Sequence, residues 1–406
     1  MTTSPPPGAP VLQRRLGLGG AVAIGLAAML GTGVFAAWTP ALAWAGPKLL
    51  WSLLLAAVVA ALNAWSTAAL ARQHPEAGGA YAYGRIRLGR AAGIVAGAAF
   101  VIGKVASAGA AALTVGTYIS PANPRVVALV AIAAVLLLDL RGVTRTAWVS
   151  AATSIVVIAV LVMLTHYAPG PDDARLFDTS DIEPRSPGAF GILAASGLLF
   201  VAFAGYARIA TLGEEVRNPR RILPWAIALS FGIVLVVYLR VAVDVVTNVG
   251  PLPLGERSTA PLVQVAESTG LDSLVTEVRV AAVVAAGGAL LSLLAGVGRT
   301  LFAMARGSDA PAALTAVSRY GVPHRAQLVA GAGAAAVALV GGIGAALAVS
   351  GFSILAYYGV AHLAALRLTR EEGRPPRVMV LVGLVGCVVV AGSLVVVGLG
   401  LVSPTS

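Results

Sequence analysis

The sequence predicts an all-α polytopic membrane protein, and three observations carry that reading. Of 406 residues, 58% are hydrophobic and only 11% charged, where a soluble domain would carry roughly 25% charged residues. Apolar runs of about 20 residues recur along the whole chain, each long enough to cross roughly 30 Å of hydrocarbon. No loop between them reaches the length of a folded domain, so whatever the protein does it does within the helix bundle. Mean hydropathy is +0.89, in keeping with all three.

Eleven spans can be read in order. The first, 17–44, starts after Arg14 and Arg15 and is interrupted by "GTGVF" at Gly31–Phe35. The second, 48–71, ends at Arg72, after which Pro75 and Gly78–Gly79 turn the chain. "AYAYGR" (Ala80–Arg85) then lies as an interfacial helix, with Tyr81 and Tyr83 at headgroup depth. The third, 90–119, carries Lys104 near its middle. The fourth, 125–139, is short unless Gly142 and its neighbours extend it; 145–168 is the fifth. The sixth, 189–212, is interrupted by "FAGYA" (Phe203–Ala207). The seventh, 223–248, holds Arg240 and Asp244 at i,i+4, where they can pair on one face. Spans at 278–305, 326–348 and 351–368 follow, and 378–402 reads as one tilted helix or a compressed hairpin of two.

Charge sets the orientation. With the N-terminus on one side and alternation thereafter, Arg14, Arg15, Arg72, Arg85, Arg217, Arg306, Arg319, Arg370, Arg374 and most of the other arginines share that side. Lys48, Arg125, Arg175, Arg185, Arg257 and Arg279 fall opposite. The N-terminus is therefore expected in the cytoplasm, in the cytoplasmic (inner) membrane. The net charge of +11 does not point to nucleic acid, because the basic residues lie in short loops without interleaved aromatics.

Enzyme chemistry finds little support. His74, His166, His324 and His362 stand at no metal-ligand spacing, and neither HExxH nor GxSxG occurs. "GLGG" at Gly17–Gly20 fails GxGxxG because residue 22 is Val, and no P-loop is present. No cofactor is expected. The lone Cys387 reads as a small core residue.

The two interruptions head two five-span blocks, 14–168 and 189–368. A Pro-rich, disordered 1–13, an external loop at 169–188 and C-terminal material at 369–406 complete the domain organisation. Five is odd, so the second block enters from the opposite side and the repeat is inverted. The predicted core is a 5+5 inverted-repeat arrangement with discontinuous helices 1 and 6, plus one extra C-terminal span or two. Matched glycine breaks in two halves are a sequence pointer to a transporter site. A half-helix N-terminus offers N–H groups to a carboxylate, and freed carbonyls suit an ammonium. An amino acid offers both charges. The competing reading is that these glycines only allow close helix packing.

Three further stretches extend the comparison: "PEAGGAYAYGR" (Pro75–Arg85), "GEEVRNPRRILPWAI" (Gly213–Ile227) and "GRTLFAMARGSDAPAAL" (Gly298–Leu314). With "GTGVF" they resemble the signature of the amino acid–polyamine–organocation (APC) superfamily of permeases, over residues 14–368. The resemblance implies secondary active transport of an amino acid by alternating access, proton-coupled or sodium-coupled. Gly31, Thr32 and Gly33 would receive the α-carboxylate. Phe203, Ala204, Gly205 and neighbouring Tyr206 would receive the amino group. Val201 stands at the aromatic-lid position of the family, with Phe200, Phe203 or Tyr206 as replacements. Many proton-coupled relatives carry a Lys midway along span five. Here that position falls near Val157, and Lys104 in span three is the candidate instead. An intramembrane charge is a functional candidate by default, as a proton carrier or as a fixed cation in place of sodium. A structural Lys held by carbonyls is the alternative. Glu214 and Glu215 could latch an inner gate with Arg85, Arg306 or Arg299, or simply set topology. A polyamine or organic-cation carrier, an exchanger, a nutrient sensor and a channel subunit are the other readings weighed.

Overall fold

The computed structural model describes residues 16–74, 79–142, 147–170, 188–210, 216–249 and 258–398. The expected disorder at 1–13, and Glu214 and Glu215, lie outside them. The first span comprises α1 (Leu18–Met29), α2 (Gly33–Ala36) and α3 (Trp38–Ala45). Then come α4 (Leu49–Gln73), α5 (Ala80–Arg87), α6 (Arg90–Ile119), α7 (Pro124–Leu140) and α8 (Ala147–Tyr167). The sixth span is α9 (Ala189–Phe203), a 3₁₀ turn at Ala204–Tyr206, and α10 (Ala207–Ala210). It is followed by α11 (Pro219–Asn248), α12 (Pro261–Ser268) and α13 (Asp272–Arg306). Last come α14 (His324–Val340), α15 (Ile343–Leu366) and α16 (Arg377–Gly398). Among the described residues nine helical stretches are long and apolar enough to cross a membrane. α7 and α14, at 17 residues each, reach about 25 Å.

Lipid cannot satisfy backbone N–H and C=O groups, so each span closes its hydrogen bonds within a helix. Small residues then let the helices approach. α6 is the hub, packed on α5, α7, α13, α14 and α15. Its Gly103 meets Ser350 and Ser353 of α15, and its Gly109 meets Val337 of α14. A hydrogen bond between the Ser107 and Ser350 hydroxyls, 2.6 Å long, adds a polar tie. α1 lies on α8 and α11, and α4 lies on α9.

The structure redraws several boundaries. The break expected near residue 350 falls at Gly341–Gly342, whose extended backbone separates α14 from α15. Ser350 and Gly351 sit inside α15 because one bonds Ser107 and the other abuts the Gly197 carbonyl of α9. Gly142, rather than extending span four, ends it: its φ of 78° is left-handed. Span eight begins at Asp272. The outer loop holds an unanticipated helix, α12, whose Leu262, Val263, Val265 and Ala266 are buried against the bundle. The described part of the final stretch is one helix, α16: a side chain at Gly383 would strike the His362 ring and one at Gly386 would press on Val59, so these two glycines serve packing, not a hairpin. "AYAYGR" is helical as expected. Its tyrosines, however, are buried in protein, because Tyr81 bonds Asp309 and Tyr83 packs into the core.

Candidate functional site

The two interruptions meet. At the first, α1 ends at Met29, capped by Leu30, and α2 restarts at Gly33. The Thr32 carbonyl accepts from the N–H groups of Phe35 and Ala36, at 3.1 and 3.0 Å. Thr32 Oγ1 is buried without a hydrogen-bond partner. At the second, the chain tightens rather than unwinds. Phe203 and Ala204 keep helical dihedrals and the backbone forms a 3₁₀ turn. Across the contact, a side chain at Gly33 would overlap Ala202 of α9, and one at Gly205 would overlap the Ala28 carbonyl of α1. Each glycine is therefore the recess that admits the other helix. Gly25 continues the seam against Ile209 and Ser230.

Tyr238 of α11 joins both breaks. Its hydroxyl donates to the Met29 carbonyl at 2.6 Å and stands 3.3 Å from the Ala202 carbonyl. It therefore satisfies acceptors that the interrupted helices release. Nothing in the sequence singled it out, because a Tyr in an apolar run looks like core. Tyr118 of α6 plays the matching part outward, donating to the Phe35 carbonyl at 2.9 Å.

Aromatic rings fill the rest. Phe203 packs on Tyr238 and Phe231, at 5.1 and 5.2 Å between centroids. Tyr206 stacks on Tyr358 at 5.6 Å, and Phe200 meets the same ring edge-on at 6.0 Å. Phe200, Phe203 and Tyr206 are fully buried, and Val201 is half-buried at the edge of the core. Lys104 lies on the face of α6 that carries Phe100, with Nζ 5.9 Å from that ring. Phe100 packs on Tyr357, and Tyr357 on Tyr358. A chain of rings thus connects Lys104 to Tyr206.

The structure brings Gly31, Thr32, Gly33, Phe203, Ala204, Gly205 and Tyr206 into one locus and leaves the gate arginines elsewhere. Arg85 is paired with Asp309; Glu214 and Glu215 of the "GEE" stretch lie outside the described residues. Asp309 also accepts from Arg90 Nε at 2.7 Å and from the Tyr81 hydroxyl at 2.9 Å. Burial pushes the Asp309 carboxyl up, but the bonds from Arg90 and Tyr81 and the charges of Arg85 and Arg90 prevail and hold it below the usual carboxylate range. Beside it, Arg87 forks onto Glu372, at 2.5 and 3.1 Å. Those bonds and the Thr369 N–H hold the Glu372 carboxyl down to about 2. Arg306 lies over the Phe302 ring. Arg299 is exposed on α13, within electrostatic reach of Asp139 on α7. Arg208 is exposed on α10. Arg240 and Asp244 form the expected ion pair, 3.2 Å, and Arg240 also donates to the Thr165 carbonyl of α8.

A second feature escaped the sequence reading. His362 is fully buried, with Nε2 2.6 Å from Asn63 Oδ1 and Nδ1 3.0 Å from the Ser66 hydroxyl. Cys387 donates its S–H to the same Asn63 oxygen at 3.2 Å. One neutral tautomer, protonated on Nε2, serves this network. It pins the extra span α16 to α4 and α15. Cys387 is buried as expected, but it works as a donor as well as a filler.

Comparison with known proteins agrees with this architecture. The chain matches the family "Amino acid permease" over residues 20–406. It is 48% identical over 387 residues to an uncharacterized transporter of Mycobacterium tuberculosis (strain H37Rv), covering 94% of this chain and 87% of that one. It is 26% identical over 334 residues to a branched-chain amino acid permease of Bacillus subtilis, covering 75% and 70%. It is 27% identical over 359 residues to the vacuolar cationic amino acid transporter 2 of Arabidopsis thaliana, covering 80% and 55%. The chain belongs to the amino acid permease family of the APC superfamily, membrane transport proteins with a helical core.

Proposed function

We propose that this chain carries a zwitterionic α-amino acid across the cytoplasmic membrane by alternating access, coupled to protons, with its N-terminus in the cytoplasm. The observation that carries the reading is the opened backbone between α1 and α2, where Thr32 Oγ1 is buried without a hydrogen-bond partner beside the second interruption; the close seating at Gly33 and Gly205 by itself fits the packing reading of those glycines equally well. The N–H groups at Gly31–Gly33 receive the carboxylate, and the carbonyls around Phe203–Gly205 receive the ammonium. Such a site reads the backbone end of the substrate. Relatives named for branched-chain and for cationic amino acids share that end and differ in side chain. Residues 14–168 and 189–368 act as the two halves of an inverted repeat, and Phe200 or Tyr206 takes the lid role that Val201 cannot fill.

Lys104 supplies the coupling charge in this reading, as proton carrier or fixed cation. Its place midway along α6, half-buried beside Phe100, argues against the runner-up, a polyamine carrier, because like charges repel in a low dielectric. The test is uptake into proteoliposomes of single labelled amino acids and of polyamines, with and without an imposed pH gradient. Gradient-driven accumulation of at least one amino acid is expected. Polyamine uptake without amino acid uptake would sink the assignment. Lys104→Ala should flatten the pH dependence; full activity with an unchanged profile would remove its coupling role.

A further inference from the structure

On the Arg-rich side, the turn between α15 and α16 opens a concavity of about 390 Å³ lined by Arg370, Arg374, Pro375, Pro376 and Arg377. Topology alone asks only that arginines be on this side; it does not ask three of them to face one hollow. None of the ion pairs among the described residues uses them. Glu372, the neighbouring carboxylate, is occupied by Arg87 and the Thr369 N–H, and no ion pair among the described residues joins Glu371 to them. The turn is also held in shape. The Gly373 N–H donates to the Arg370 carbonyl at 3.0 Å, and the Arg374 N–H to the Thr369 carbonyl at 3.2 Å. Gly373 takes the left-handed φ of 73° that the turn requires, and two prolines stiffen the wall. The backbone that presents the three arginines is thus fixed before any ligand arrives.

The surroundings select among anions. Arg377 is the first residue of the apolar helix α16, so the hollow stands where that span leaves the hydrocarbon. Immediately along α16, Val378, Leu381, Val382 and Val385 are exposed at 72, 48, 52 and 59%. Cations above a lipid-facing apolar stripe match an amphiphile with a phosphate head and acyl tails, not a soluble anion. We propose that this hollow binds the headgroup phosphate of an anionic phospholipid, with Arg370, Arg374 and Arg377 as its donors and the acyl chains along α16.

The test is native mass spectrometry of the full chain in detergent, titrated with phosphatidylglycerol and, for comparison, phosphatidylcholine. The triple variant Arg370→Gln, Arg374→Gln, Arg377→Gln should weaken phosphatidylglycerol binding by roughly a hundredfold, at about fivefold per arginine removed. A charge-matched triple on the same side, Arg306→Gln, Arg319→Gln, Arg325→Gln, should change it less than about threefold. If the first triple fails to fold, Arg374→Gln alone should show the single-arginine loss. Equal losses in both triples would reduce the effect to diffuse surface charge and overturn the proposal. So would undiminished binding in the site variants, or displacement of the lipid by an equal concentration of inorganic phosphate.

Discussion

The two interruptions share a seam but are built in opposite ways. The first opens: α1 stops, Gly31 and Thr32 carry the chain across, and the Thr32 hydroxyl is buried without a partner. The second closes up into a 3₁₀ turn and buries Phe203 and Tyr206 against other rings. An opened helix exposes groups that a ligand can take. A tightened helix holds fewer free groups but less rigid ones, since 3₁₀ hydrogen bonds are poorer. Under the proposed function, the first break serves as the fixed half of the site and the second as the half that rearranges.

That contrast can be broken by substitution, and the largest effects are expected at the seam. Gly205→Ala drives a methyl into the Ala28 carbonyl and Gly33→Ala drives one into Ala202. Neither backbone can step aside, so each should cost about 3 kcal/mol or more, read as a fall in melting temperature and loss of uptake. Native stability in either variant would mean that the helices are not so closely seated. Tyr238→Phe comes next. It strips the donor from the Met29 carbonyl, and a buried acceptor left unpaired costs about 1–3 kcal/mol, so thermal stability should drop with the fold retained. Gly31→Ala should be milder. Its methyl would lie 3.0 Å from the Ala289 Cβ, a contact that a small shift relieves. A loss under about 1 kcal/mol is expected, with apparent substrate affinity falling more than stability. If stability falls as much as at Gly205, the open character of the first break is wrong.

The smallest effect lies away from the breaks and is pH-dependent. Glu372 has a depressed carboxyl in the folded state, so the stabilisation from its pairing with Arg87 is fully present above the ordinary glutamate range. It fades as pH falls toward about 2. The melting difference between wild type and Glu372→Gln should therefore be constant at neutral pH and shrink on acidification. A difference that instead grew in acid would contradict the ion pair. The pair is partly exposed, so its worth is modest.

How much of this was legible in the chain differs from element to element. "GTGVF" and "FAGYA" announced breaks because Gly is costly inside a helix and both fell in long apolar runs at matched places. Their difference in kind was not legible, since a local sequence does not state whether a weak helix will open or overwind. Gly341–Gly342, the poorer helix-forming pair, is passed over for a boundary at 349–350, beside Ser350–Gly351, because the apolar run continues through the two glycines. Only the partners Ser107 and Gly197 made the second pair helical. The Arg85–Asp309 tie is hidden from the sequence because 224 residues separate its partners.

The sequence by itself determined the solvent, the class of fold and the places where its apolar runs are interrupted. Each follows from composition and spacing, which lipid converts directly into helices of a given length. Tertiary structure alone decided which residues serve the interruptions. Tyr238 became the bridge between them, and Asn63, Ser66, His362 and Cys387 became one network, because a buried polar atom takes whatever partner the packing sets within about 3 Å. That distance is a property of neighbouring helices, and no single helix encodes it.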